Sequence, residues 1–262
     1  MIRIVLALTC LLLVSAVVSA DDGAEMAVVP AGEFTMGGPG KAIDEDKLEA
    51  PEHKLTLPAF LIDKCEVTTA LYCRFLNETK QTPDAARGYF GLPQYAPIAY
   101  AGGQWQPAKG KERFPMTNVT WPGATAYARW AGKRLPTEAE FEKAARGTDG
   151  RKFPWGADFN AGLMRFGQDN IGPVGEKPAG ASPYGCLDMA GNAWEWTSSL
   201  FRPYPYVATD GREDATNTTD RRVARGGSWT GEPYIATTVY RFRPCPDDAY
   251  PFLGFRCAKD AP

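Results

Sequence analysis

Histidine is all but missing: His53 is the only one in 262 residues. That excludes any site built on two or three imidazoles, such as a three-histidine iron centre or the usual catalytic zinc sets, and a Ser-His-acid triad would have to run through His53. An excess of one charge is missing too, with 29 Lys plus Arg against 31 Asp plus Glu for a net charge of −2. No basic tract is available to hold a phosphate backbone, so nucleic acid is not an expected partner. No Cys-x-x-Cys occurs, no internal repeat emerges, and beyond the first twenty residues no apolar run approaches membrane-span length.

What is present points to a folded domain. The chain is 44% hydrophobic and 12% aromatic, enough for a substantial core, which excludes disorder and coiled coil. Its 27 Gly and 22 Pro lack a short period and suggest turns and ordered loops rather than a helical bundle.

Arg3 precedes an apolar run from Ile4 to Val18 that closes on Val18-Ser19-Ala20 before Asp21-Asp22. This reads as a cleaved signal peptide over 1–20, leaving one domain over 21–262, exported to a periplasm or secreted. Cys10 lies inside the apolar run and is poorly placed for lipid attachment. Cys65, Cys73, Cys186, Cys245 and Cys257 remain; in an oxidising compartment they allow at most two disulfides and one leftover thiol, and spacing does not settle the pairing.

Val28 to Met36 reads as a short strand, followed by an exposed acidic loop (Asp44, Glu45, Asp46, Glu49, Glu52) and antiparallel strands over Lys54–Leu57 and Ala59–Ile62. Thr68 or Thr69 caps a helix carrying Leu71, Tyr72, Phe75 and Leu76, whereas Pro83 to Phe114 reads as one long ordered loop. Thr120-Trp121-Pro122 opens a second helix closed by Gly132, and Thr137 with Glu140 forms a capping box for a third that ends at Gly147. The rest reads as turns and short strands with one turn of helix period near Trp194, giving an α+β domain.

Several side-chain groups invite a chemical reading. Asp188 and Glu195 flank a Gly turn, and with the backbone carbonyls of Gly191 and Ala193 they offer oxygen ligands to a hard cation; alternatively Asp188 caps a turn and Glu195 pairs with an Arg. Lys133, Arg134, Glu138, Glu140 and Glu142 read as a solvated helix face with capping carboxylates. Arg241, Arg243 and Arg256 either meet core acids or line a groove, with structure favoured for Arg256, and Trp105, Trp121, Trp130 and Trp155 read as core. Asn77, Asn118 and Asn217 begin glycosylation sequons, meaningful only in a eukaryotic source.

Six blocks in order resemble the formylglycine-generating enzyme, or sulfatase-modifying factor, family: Val28–Gly37, Trp130–Glu142, Phe153–Gly156, Gly185–Trp196, Arg225–Trp229 and Leu253–Cys257. The resemblance implies a modified C-type-lectin-like fold of low regular structure, and it places Asp188, Gly191, Ala193 and Glu195 on the family's calcium ligands. A second calcium site would fall around Asn160, Gln168, Asp169 and Asn170, where the match degrades. Family enzymes oxidise a sulfatase cysteine to formylglycine with copper(I) held by a Cys-x-x-x-x-Cys pair. Here those positions fall on Gly231 and at or near Ala236, neither a thiol, so copper is not expected. Cys245 aligns downstream of the copper position; Cys257 aligns with a structural disulfide position whose usual partner is Ala128 here. The expectation is therefore a binding or accessory module that presents a groove between Pro83–Phe114 and Trp229–Tyr250 to a protein, peptide or glycan. The alternative is an oxidase with rearranged cysteines, Cys245 and Cys257.

Overall fold

The computed structural model describes residues 21–39, 48–168 and 170–262. The expected signal peptide, the acidic residues Asp44, Glu45 and Asp46, and Asp169 lie outside the described residues.

The segment expected as one strand from Val28 to Met36 is two strands, β1 (Met26–Val29) and β2 (Gly32–Met36). Pro30 has no N–H to continue a ladder and Gly32 takes φ +138°, so the chain leaves one sheet and enters another. β2 pairs antiparallel with β3 (His53–Leu57), and β1 pairs antiparallel with β4 (Phe60–Asp63) from Met26 opposite Asp63 to Val29 opposite Phe60. The last strand, β10 (Ala258–Asp260), occupies the other edge of β4. A single central strand thus joins the first and last described strands.

The three expected helices form where their end signals lie. α1 (Thr69–Glu78) is capped by the Thr68 side chain, α2 (Trp121–Trp130) by Thr120, and α3 (Glu138–Arg146) by the full Thr137–Glu140 capping box with Gly147 at its C-terminal end. The segment read as loop from Pro83 to Phe114 instead contains a hairpin, β5 (Ile98–Ala101) and β6 (Gln104–Pro107). Gly102 and Gly103, at φ +59° and +82°, make its two-residue turn.

Near Trp194 there is no helical turn but the longest of the described strands, β7 (Trp194–Leu200). Its residues are buried on both faces save Ser198, and burial on both faces removes the period-two alternation that announces a strand. β7 lies between β8 (Arg222–Arg225), antiparallel to it, and β9 (Leu253–Phe255), parallel to it, so the sheets are not purely antiparallel. The main core joins Tyr72, Phe75 and Leu76 of α1 to Trp121 and Tyr127 of α2 and to Trp194, Trp196 and Phe255 of this sheet. The architecture is α+β with three helices and short strands among the described residues.

Candidate functional site

α3 overturns the expectation of a solvated charged face. Glu138 and Glu142 are fully buried and Glu140 nearly so, because β2, β7 and β8 pack around this helix. Buried carboxylates need partners. Glu138 forms a two-pronged pair with Arg241 (Oε1 to Nε 2.6 Å, Oε2 to Nη2 2.9 Å), Glu142 accepts from Arg225 and Arg146, and Glu140 accepts from Arg134 at 2.7 Å. Burial alone would raise the Glu138 carboxyl; the Arg241 and Arg225 guanidiniums outweigh it and hold it below the ordinary range. Lys133 is likewise enclosed, bonded to Asp22 and Asp63 at 2.7 Å each.

This ion network backs a cavity of about 890 Å³. Its walls come from three stretches: Gly38–Pro39 with Leu48, Glu49 and Glu52; Arg146, Gly150 and Lys152 at the end of α3; and Tyr234, Thr237, Val239, Tyr240 and Arg241. Arg146 donates to the Gly37 and Thr35 carbonyls at 2.6 and 3.1 Å, and Arg225 to the Val239 carbonyl at 2.7 Å, so two guanidiniums fix the walls while carboxylates cancel their charge. At the rim Glu52, Lys152 and Tyr234 are exposed.

The expected groove is divided. The Tyr234–Arg241 stretch lines the 890 Å³ cavity, whereas Pro83, Phe90, Gln94, Ile98, Ala99, Tyr100 and Trp105 line a separate one of about 450 Å³. Gly231 sits at a bend with φ +112°, and Ala236 is fully buried at the end of a short 3-10 turn. No described cysteine lines either cavity.

The five described cysteines are all unpaired, within the allowance of at most two disulfides. Cys73 packs in the α1 core, Cys257 donates its N–H to Asp63 at 3.0 Å, Cys186 donates its N–H to Ser182, and Cys245 donates its N–H to Asp248. Burial pushes the thiols of Cys65 and Cys73 up to about 12, and raises those of Cys186 and Cys257 as well.

The Asp188–Glu195 stretch folds as a buried acidic pocket. Asp188 and Asn192 take φ +56° and +57°, which aims the turn inward, and Gly191 at φ +83° is needed because a Cβ there would lie 2.6 Å from the Arg165 carbonyl oxygen. Asp188 accepts from the Gly175 N–H at 2.6 Å, and Glu195 makes a bidentate pair with Arg256 at 2.7 Å on each prong. Arg256 also donates to the Asp63, Lys64 and Leu187 carbonyls, a structural role as expected, as Arg241 does in the ion network; Arg243 is exposed. Gly191 and Ala193 lie on the turn and at its exit, ahead of β7.

Glu66 also enters this pocket. Its Oε1 accepts from Asn192 at 2.9 Å while its Oε2 is buried with no hydrogen-bond partner. Burial raises the Glu66 carboxyl well above its ordinary value, and the Asp188 and Glu195 charges add to that. Three carboxylates therefore face one guanidinium. Among the described residues no three His, Cys, Asp or Glu side chains converge as a ready metal cage. Sequence reasoning missed Glu66 because Cys65-Glu66-Val67 carries no motif; only the fold brings it to Asn192, 126 positions away.

At the second calcium position Asp169 lies outside the described residues, and the others have local partners. Asn160 caps its own 3-10 turn, Asn170 accepts from Arg165, and Gln168 bonds the Phe166 carbonyl.

The model of the sulfatase-modifying factor enzyme 1-like domain matches residues 14–261. Hercynine oxygenase of Mycolicibacterium smegmatis is 35% identical over 269 residues, which take in 89% of this chain but only 60% of that protein. The formylglycine-generating enzyme of Streptomyces coelicolor is 34% identical over 280 residues, 89% of this chain and 88% of its own length. The inactive C-alpha-formylglycine-generating enzyme 2 of Mus musculus is 32% identical over 280 residues, 90% of this chain and 86% of its own. Among solved structures, PvdO from Pseudomonas aeruginosa superposes with a TM-score of 0.72 at 27% identity, covering 92% of this chain and 95% of its own. With the domain match running over nearly the whole chain, the protein belongs to the sulfatase-modifying factor family of formylglycine-generating-enzyme-like proteins.

Proposed function

We propose that this chain is an exported binding or accessory module that keeps the family scaffold without copper-dependent oxidation. The donor set of the 890 Å³ cavity carries the proposal: carboxylates, guanidiniums, an ammonium and phenols line it, with no thiol and no imidazole among the described residues. Copper(I) selects soft thiolates, so these residues do not fit it. The raised thiols of Cys65, Cys73, Cys186 and Cys257 add support, since a protonated buried thiol is neither nucleophile nor good ligand. The ligand of the cavity is a peptide or glycan that meets Tyr234 and Lys152 at the rim. The apolar leader with its small-residue end supports export.

The test is mass spectrometry of a Cys-x-Pro-x-Arg peptide incubated with the copper-loaded mature protein under oxygen, beside an active family enzyme. The thiol is expected to survive. Conversion to an aldehyde would sink the proposal and move the chemistry to Cys245 or Cys257.

Calcium at the acidic pocket is the second part of the reading. Asp188 and the partnerless Glu66 Oε2 suit a hard cation, and the turn after Asp188 carries the carbonyls of Gly191 and Ala193 in sequence, whereas both Glu195 oxygens are held by Arg256. Calorimetry should show binding, and at a hundredfold excess over Kd the fold should gain about 2.7 kcal/mol. Asp188→Asn is expected to weaken that gain, and melting temperatures indifferent to calcium and chelator alike would remove the assignment.

A further inference from the structure

The β5–β6 hairpin has two edges of different kinds. In the middle of β6, Trp105 turns its N–H and C=O away from β5, and the Asn77 side chain of α1 takes both: Oδ1 accepts from the Trp105 N–H at 2.8 Å and Nδ2 donates to its carbonyl at 2.9 Å. That edge is closed by an amide standing in for a strand.

Tyr100 lies opposite Trp105 in the register. In an antiparallel ladder the two members of a pair either bond each other or both face outward, so Tyr100 must turn its own N–H and C=O to the far edge of β5. There the two-stranded sheet ends, and no described backbone or side-chain group bonds them. The flanking Ala99 and Ala101 are exposed, and Ile98-Ala99-Tyr100-Ala101 carries none of the prolines or charges that usually blunt an edge.

Beside this edge opens the 450 Å³ cleft, lined by Phe90, Ile98, Tyr100 and Trp105, with Tyr100 and Phe90 packed edge-on against Trp105 at 5.1 and 5.3 Å. Leu92 and Tyr95, in the same stretch, are 60% and 58% exposed. An open backbone donor and acceptor next to an apolar cleft is what strand addition requires: the main chain supplies pairing and the cleft reads an alternate side chain.

We propose that β5 docks an extended segment of a partner polypeptide, paired to Tyr100 and placing a bulky apolar side chain in the Phe90–Trp105 cleft. A second copy pairing through its own β5 fits less well, because it would present Ala99 and Ala101, whose methyls do not fill 450 Å³, and a Tyr100 ring already packed on Trp105. The surface shares no lining residue with the 890 Å³ cavity, so it stands whether or not the chain oxidises anything.

The experiment titrates the mature protein with a pool of capped peptides in which Thr alternates with Val, Leu, Phe or Tyr, up to about 1 mM, the weak end of specific association. Hydrogen exchange of the Tyr100 amide and Trp105 fluorescence are followed. At least one peptide should protect the Tyr100 amide, and its fully N-methylated counterpart should not bind. Tyr100→Pro, which removes only an outward N–H from the ladder, should bind about tenfold more weakly than Tyr100→Ala, the scale of one net hydrogen bond. No protection by any peptide, equal binding of the N-methylated form, or a dimer whose Tyr100 amide is protected without peptide would each overturn the proposal.

Discussion

Glu138 shows how one residue couples the core to the cavity wall. Its carboxylate sits between Arg241, which lines the cavity, and Arg225, 3.5 Å away, and the Tyr204 hydroxyl donates to it at 3.0 Å. Glu138→Gln keeps the shape but leaves two buried guanidiniums short of charge, a loss of about 3–5 kcal/mol at neutral pH by the usual cost of breaking a buried pair. The folded carboxyl is held below its unfolded value, so its contribution is present above the ordinary carboxylate range and is lost as pH falls through the depressed value. Denaturant melts at pH 7 and in acid should therefore show wild type and Glu138→Gln far apart and then converging. A constant gap at every pH would mean that packing, rather than charge, holds this position.

At the scale of elements, the helices were the most legible part of the sequence because their signals are local. Thr120, Thr137, Glu140 and Gly147 cap neighbours within four positions. What could not be read is what each element meets. Glu138 and Glu142 look like a wet face until Arg225 and Arg241, over eighty positions away, are folded against them. The hairpin was readable in principle from Gly102-Gly103, yet its short arms of Ile-Ala-Tyr-Ala and Gln-Trp-Gln-Pro give little period. Of the acidic pocket, Asp188 and Glu195 were legible from their loop, whereas Glu66 and the Arg256 pairing depend on distant chain. Gly123 makes the same point about packing. It lies in α2, where Ala is a better helix former by about 1 kcal/mol, yet a Cβ would stand 2.1 Å from the Tyr89 carbonyl oxygen. Gly123→Ala should therefore destabilise by about 1–3 kcal/mol, the range for overpacking, as read by urea melts. A stabilised variant would show that the 89–91 loop yields freely to α2.

At the scale of the molecule, long loops are held by a few buried ionic knots, and the one at Lys133 binds both ends of the described chain. Its ammonium meets Asp22 at 2.7 and 2.9 Å and Asp63 at 2.7 Å; Tyr127 donates to Asp22 at 2.9 Å, and the other Asp63 oxygen accepts from the Cys257 N–H at 3.0 Å. Asp63 ends β4, the strand that β1 and β10 flank, so α2's exit, the N-terminal segment and the C-terminal strand meet at one charge. Asp22→Ala removes a fully buried partner from this knot and strands the Tyr127 hydroxyl. The cost should be about 3 kcal/mol, the low end for breaking a buried pair. Because the three strands share the knot, their amides should lose protection together in hydrogen exchange, from Ala27 through Ile62 to Lys259. Loss confined to β1, with β10 as protected as before, would show that the two ends are anchored independently, and that the fold closes around β4 through apolar packing of Val29, Phe60, Ile62 and Ala258 alone.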